Sequence, residues 1–172
     1  MAGIRDMMDL NKANFSTVEK DFADITGRII ANETILKLLY FNSSDCLSNK
    51  DLVITPKIIE EITRDNLRIV PSVRVPENKG SYIIITFDSF VENPHNPEFM
   101  NNIVLMDVLC PEDTWMMDSY MMRPFKIMHE LQRMFHDKPL NGIGKVFFMG
   151  ANLLNLGDYV GYQMTFSVIN DV

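Results

Sequence analysis

The chain has 172 residues, 23 acidic and 16 basic, for a formal net charge of −7, and 47% of it is hydrophobic. That length predicts one domain over 1–172, and that apolar share predicts a packed core, which excludes a disordered chain. The acidic balance argues against gripping nucleic acid, which takes clustered Lys and Arg, yet an acidic wall can surround DNA without sticking to it.

Residues 1–16 are polar and aperiodic and read as a loose arm. They open Met1-Ala-Gly-Ile-Arg-Asp-Met-Met-Asp, with acids where a signal peptide needs a basic region, so the expected place of synthesis is the reducing host cytoplasm. No apolar run is long enough to span a bilayer. Cys46 and Cys110 form no CxxC or Cys/His cluster and read as free thiols.

The stretch 17–65 reads as mainly helical. Ser16-Thr-Val-Glu19 fits a capping box, followed by an apolar stripe of Val18, Phe22, Ile25, Ile29 and Ile30. Asn32 is placed to cap a second short helix with Ile35, Leu36, Leu38 and Leu39 inward. It ends near the turn cluster Asn42-Ser-Ser-Asp45. Thr55-Pro56 starts a third helix, with Pro56 at the first helical position and Ile58, Ile59 and Ile62 inward.

The stretch 67–172 reads as a sheet with one helix. Leu67 to Val75 is extended but broken by Pro71, which suits a sheet edge or a place outside it. Ser81–Phe90 and Asn102–Leu109 are strands, expected to pair antiparallel across a long loop whose Pro94 and Pro97 forbid regular structure. Arg123–Phe135 is an amphipathic helix with Ile127, Met128, Leu131, Met134 and Phe135 on its stripe, stopped by Asp137-Lys-Pro139. Lys145–Met149 and Asp158–Asn170 are the last strands, the second alternating Val160, Tyr162, Met164, Phe166 and Val168 with a polar face. The fold class expected is α+β: an antiparallel sheet of about four or more strands, packed with an amphipathic helix and preceded by a helical region.

Candidate chemistry is sparse. His129 and His136, with Glu130 between them, are better read as a solvated helix face than as metal ligands. Asn141-Gly-Ile-Gly144 follows a helix and precedes a strand, the reverse of a dinucleotide-binding loop, so its glycines read as a helix stop. Asp107 lies in an apolar strand. It is either a catalytic acid or, as the period-two pattern favours, part of a face with Ile103, Leu105 and Leu109 that is half open to solvent or to a neighbouring subunit. No Ser/His/Asp or Cys/His arrangement is visible, so neither catalysis, cofactor nor metal is expected.

Of the 13 methionines, Met116, Met117, Met121 and Met122 crowd one segment beside Trp115. That cluster suits an adaptable contact surface or gap-filling core, and Trp115 an interface anchor. The contact residues expected are Asn93, His95, Asn96 and Phe99 in one loop (91–101) and Trp115, Met116, Met117 and Met121 in another (110–122).

Several patterns resemble head–tail joining proteins of tailed bacteriophages, above all the tail terminator group from phages of Gram-positive hosts. They are Ile35-Leu-Lys-Leu-Leu-Tyr40; Ile84-Ile-Thr-Phe-Asp-Ser-Phe90 leading to Asn96-Pro-Glu-Phe99; Ile103-Val-Leu-Met-Asp-Val-Leu-Cys110; and Arg123-Pro-Phe-Lys-Ile127 leading to Gly142-Ile-Gly144 and Tyr159-Val-Gly-Tyr162. The helical part before residue 50 is longer than in the smallest members. The resemblance implies a non-enzymatic virion protein of the neck, a ring of typically six copies. Such a ring caps the tail tube protein and docks to the head-completion or connector protein, with DNA passing through its lumen. A head-completion or stopper protein is the near alternative. A small cytosolic enzyme using Asp107 and His129, or a Met-rich cytosolic adaptor, are the alternatives of other classes.

Overall fold

The structure, a computed structural model, describes residues 15–69, 80–93, 96–140 and 144–169. Local signals place its helices. α1 (Phe15–Ile30) starts one residue ahead of Ser16, so Ser16 sits in the first turn rather than at the expected cap. α2 (Glu33–Tyr40) begins as its cap dictates, with Asn32 Oδ1 accepting from the Ile35 N–H at 3.2 Å. α3 (Pro56–Asp65) begins with Thr55 Oγ1 accepting from the Ile58 N–H and Pro56 in the first turn.

Six strands form one sheet: β1 (Leu67–Arg68), β2 (Tyr82–Asn93), β3 (Asn96–Pro111), β4 (Lys138–Leu140), β5 (Gly144–Leu156) and β6 (Tyr159–Ile169), in the order β1-β2-β3-β6-β5-β4. Neighbours are antiparallel except β1, which runs parallel to β2 at the edge. Pro71, Val73 and Val75 lie outside the described residues, as do the arm at 1–14 and the segment 141–143.

α4 (Arg123–Phe135) holds its predicted bounds. Ile127, Leu131 and Phe135 are fully buried with Ile25, Ile29, Ile35, Leu38 and Leu39 from the first helices, and with Ile83, Ile85, Val104, Met106, Val108, Met164, Phe166 and Val168 from the sheet. Each of those aliphatic side chains contributes about 2 kcal/mol by leaving water. The chain is therefore an α+β domain with its core between one sheet face and the helices. Gly161 lets β6 approach β3 closely: a Cβ there would meet the Val108 carbonyl.

Three expectations change. The loop over 91–101 is instead the end of a hairpin, because β2 and β3 stay paired out to Glu92↔Met100 and Asn93↔Asn96. A register shift between Glu92 and Asn93 gives Pro97 an irregular place in the ladder, where a missing N–H is tolerated. The glycines at 142 and 144 do not end α4. It stops at His136, followed by Asp137 with φ 55, and β4 intervenes. Finally, β5 runs seven residues past Met149, to Leu156. Its Gly150-Ala-Asn segment has little intrinsic strand preference, and pairing with β6 decides its form.

Candidate interaction surface

The segment between β3 and α4 is built on Arg123. This side chain is fully buried, and its four hydrogen bonds go to backbone carbonyls: Nε to Thr114 at 2.9 Å, Nη1 to Leu38 at 2.8 Å and Phe41 at 2.7 Å, and Nη2 to Ser43 at 2.9 Å. Leu38 and Phe41 lie at the C-terminal end of α2, where the helix dipole favours a cation. The guanidinium fork thus joins α2, the following turn and the start of the 112–122 segment to α4. In the sequence, Arg123 reads only as a helix boundary. The available signal was a charge set among Met121, Met122, Pro124 and Phe125.

From that anchor the chain makes a small protruding hairpin. The Arg123 N–H donates to the Trp115 carbonyl at 2.8 Å, Met116 and Met122 form an antiparallel bridge, and the Met117 N–H donates to the Met121 carbonyl at 2.8 Å. Its tip residues Ser119 and Tyr120 have φ 60 and 59. Two positive φ values are what a type I′ turn demands, normally of Asn-Gly. Here a serine and a tyrosine adopt them, at roughly 1–2 kcal/mol each. The result is a Tyr120 side chain held 90% exposed.

Exposed apolar side chains gather there. Met116, Met121, Met122 and Phe125 are exposed. The Phe125 ring lies 5.3 Å from that of Tyr162, which also faces Trp115 at 6.4 Å. Tyr162 pairs across the sheet with Leu153, itself 66% exposed. Exposed apolar side chains thus mark the hairpin, the start of α4 and β5, with the Trp115, Phe125 and Tyr162 rings between them.

The expected contact residues divide. Met116 and Met121 are among these exposed side chains. Met117 does not: it is 4% exposed and belongs to the core, since the bridge turns it inward. Trp115 is half-buried, and its indole N–H donates to the Val160 carbonyl at 3.1 Å, so it supports the fold before it can serve any partner. Asn93 and Asn96 pair at the tip of the β2–β3 hairpin; the side chains of 91–101, Phe99 among them, and all of His95 lie outside the described set. β3 is 16 residues long, so at about 3.3 Å per residue that tip lies roughly 50 Å from the Trp115 segment. The two expected contact regions are separate surfaces.

Burial raises the Asp107 carboxyl above its usual range, opposed by a hydrogen bond from Gln163 Nε2 at 2.9 Å. It lies on the half-open face, as the period-two pattern indicated, although Leu109 on the same face is buried with Tyr82, Ile84 and Tyr159. Burial pushes the Cys110 thiol up to about 11 and raises that of Cys46; both are free and buried. His129 is exposed, and His136 has left the helix, where its Nδ1 accepts from the Phe148 N–H at 3.1 Å. Glu130, expected on a solvated face, is buried instead. It pairs with Arg133 at 2.7 Å and accepts from Asn32 Nδ2 at 3.3 Å, because α4 packs on the start of α2. Among the described residues no three His, Cys, Asp or Glu side chains gather as a metal site would need, and no helix is long and apolar enough to cross a membrane.

The family model called YomW matches residues 32–168. The chain belongs to the YomW family. This is a phage-type gene family, of the Bacillus phage SPbeta region. The YomW match opens at Asn32, the α2 cap, and closes inside β6, so it takes in every strand, the Arg123 anchor and the protruding hairpin and leaves α1 outside. No curated protein matches the chain.

Proposed function

We propose that this chain is a non-enzymatic structural protein of a phage-type particle, the tail terminator of the neck. Copies form a ring, six in the simplest case, that caps the tail tube and docks to the head connector, with DNA passing through the lumen. The observation that carries the reading is the set of exposed apolar side chains Met116, Tyr120, Met121, Met122, Phe125 and Leu153 on an acidic chain. Exposed apolar side chains gathered in this way are what a protein contact uses. Membership in a phage-type family supports the same class of role, and a net charge of −7 suits a lumen wall that must not hold DNA.

The work assigned here is interface geometry, and its place is the head–tail joint. The test is to delete the gene from a phage that carries it and examine particles by electron microscopy, with the wild-type gene supplied in trans as control. Filled heads accumulating beside unattached tails are the expected result. Normal, infective virions without the protein would end the proposal. Heads that have lost their DNA, beside normal tails, would assign it to the stopper position instead.

A further inference from the structure

β5 carries an open edge. On one side it pairs with β6 from Lys145 to Leu156. On the other, β4 covers only Gly144 to Val146, and His136 takes the Phe148 N–H. Among the described residues, nothing pairs with the outward backbone groups from Gly150 to Leu156.

Proteins normally protect such an edge with charge, proline or a bulge. β5 has a bulge between Phe148 and Gly150, and beyond it the register is regular through Leu156. The stretch Val146-Phe-Phe-Met-Gly-Ala-Asn-Leu-Leu-Asn-Leu-Gly157 holds no charge and no proline. β2, by contrast, has Asp88 inside its own bulge and Glu92 further along. Both strands carry a bulge, but charge is present along β2 and absent from β5 beyond Lys145, which leaves the regular stretch of β5 the less protected edge.

We propose that the outward edge of β5, Gly150 to Leu156, docks a second copy of this chain, the two β5 strands pairing antiparallel across a two-fold axis. An antiparallel edge is complementary to itself: outward N–H and C=O groups of one copy meet those of the other. Side chains agree on both faces. Leu153, 66% exposed, stands on the helix side beside the Phe125 and Tyr162 rings. Leu154 and Leu156 continue the Tyr82, Leu109 and Tyr159 cluster on the other face. Charge selects the same place. Two copies, each at −7, repel over most approaches, and an uncharged strand is where they meet with least repulsion.

The test uses the full chain. Single cysteines are placed at Gly150, Ala151, Asn152, Leu153, Leu154 and Asn155 and oxidised, the native Cys46 and Cys110 being buried. A two-fold pairing gives self-cross-linking that peaks at one or two adjacent positions and falls away on both sides. Sedimentation equilibrium should show a dimer, and Leu153→Lys or Asn155→Lys, both at exposed positions, should weaken it at least about tenfold with no loss of thermal stability. A monomer at every concentration overturns the proposal. So does an oligomer indifferent to both lysine variants, or one whose cross-links join β5 to a different strand. The particle reading is a separate claim: particles tested by gene deletion can assemble through the joint whether or not β5 pairs with itself.

Discussion

Tyr120 combines a strained backbone with full exposure at a single residue. Its φ of 59, next to Ser119 at φ 60, places two non-glycine residues in the left-handed region at an exposed tip. Tyr120→Gly should raise stability by about 1 kcal/mol in chemical denaturation, since the turn then has the residue it demands. The same change should weaken assembly if the exposed ring is a contact; a variant that assembles normally would remove Tyr120 from the interface. Glu130 is the opposite case, a buried carboxylate that stabilises. Burial works to raise its pKa, but hydrogen bonds from Arg133 and Asn32 and the charges of Arg133 and Lys126 outweigh it and hold the group below the usual range. A carboxylate depressed in the folded state contributes stability above its unfolded value, about 4.3, and loses it as pH falls through the lower folded value. Wild type should therefore lose stability between pH 4.3 and the acid limit faster than Glu130→Gln does, as thermal melts across that window would show. Parallel curves would assign the ion pairs no net contribution.

Among the elements, α4 is where sequence and structure agree best. Its apolar spacing, Pro124 in the first turn and the stop after Phe135 all operate within a few residues of each other, so one strand of sequence contains the whole cause. Leu131→Asp should cost about 3–5 kcal/mol, because it buries a carboxylate where Leu131 is fully enclosed. An unshifted denaturation midpoint would refute the facing of the helix. The α2 and α3 caps were legible for the same local reason. What was not legible depends on distant partners. β5 beyond Met149 is extended because β6 pairs with it. The 91–101 segment is a hairpin because two long strands keep their register past the prolines. The burial of Glu130 depends on α2, and the role of Arg123 on carbonyls 80 or more residues away in sequence. Exposure in the 112–122 segment was half legible. The methionine cluster marked a segment that carries exposed apolar side chains, but which methionines face outward follows from the Met116–Met122 bridge, and Leu153 neighbours them only through its cross-strand partner Tyr162.

At the scale of the whole molecule, the two proposals constrain one another through symmetry. A β5–β5 contact is isologous and closes at two copies, so a ring needs a second kind of contact. The proposed ring contact is the apolar surface beginning at Met116 and Tyr120. A ring closed through two-fold contacts would present two equivalent faces, whereas the proposed terminator ring meets a tube on one face and a connector on the other, so the β5 pair belongs to the free chain and opens on assembly. Native mass spectrometry of the purified chain should therefore give even multiples of the 19.8 kDa chain, with Leu153→Lys shifting the population toward smaller species. Odd-numbered oligomers of the free chain would rule out the two-fold contact. The charge balance adds a second readout on the same sample. With 23 acidic against 16 basic residues, few counterions are released on meeting phosphates, so duplex DNA should bind weakly or not at all, free or assembled. Tight binding that weakens steeply with salt would show a concentrated basic surface and would contradict a lumen through which DNA slides.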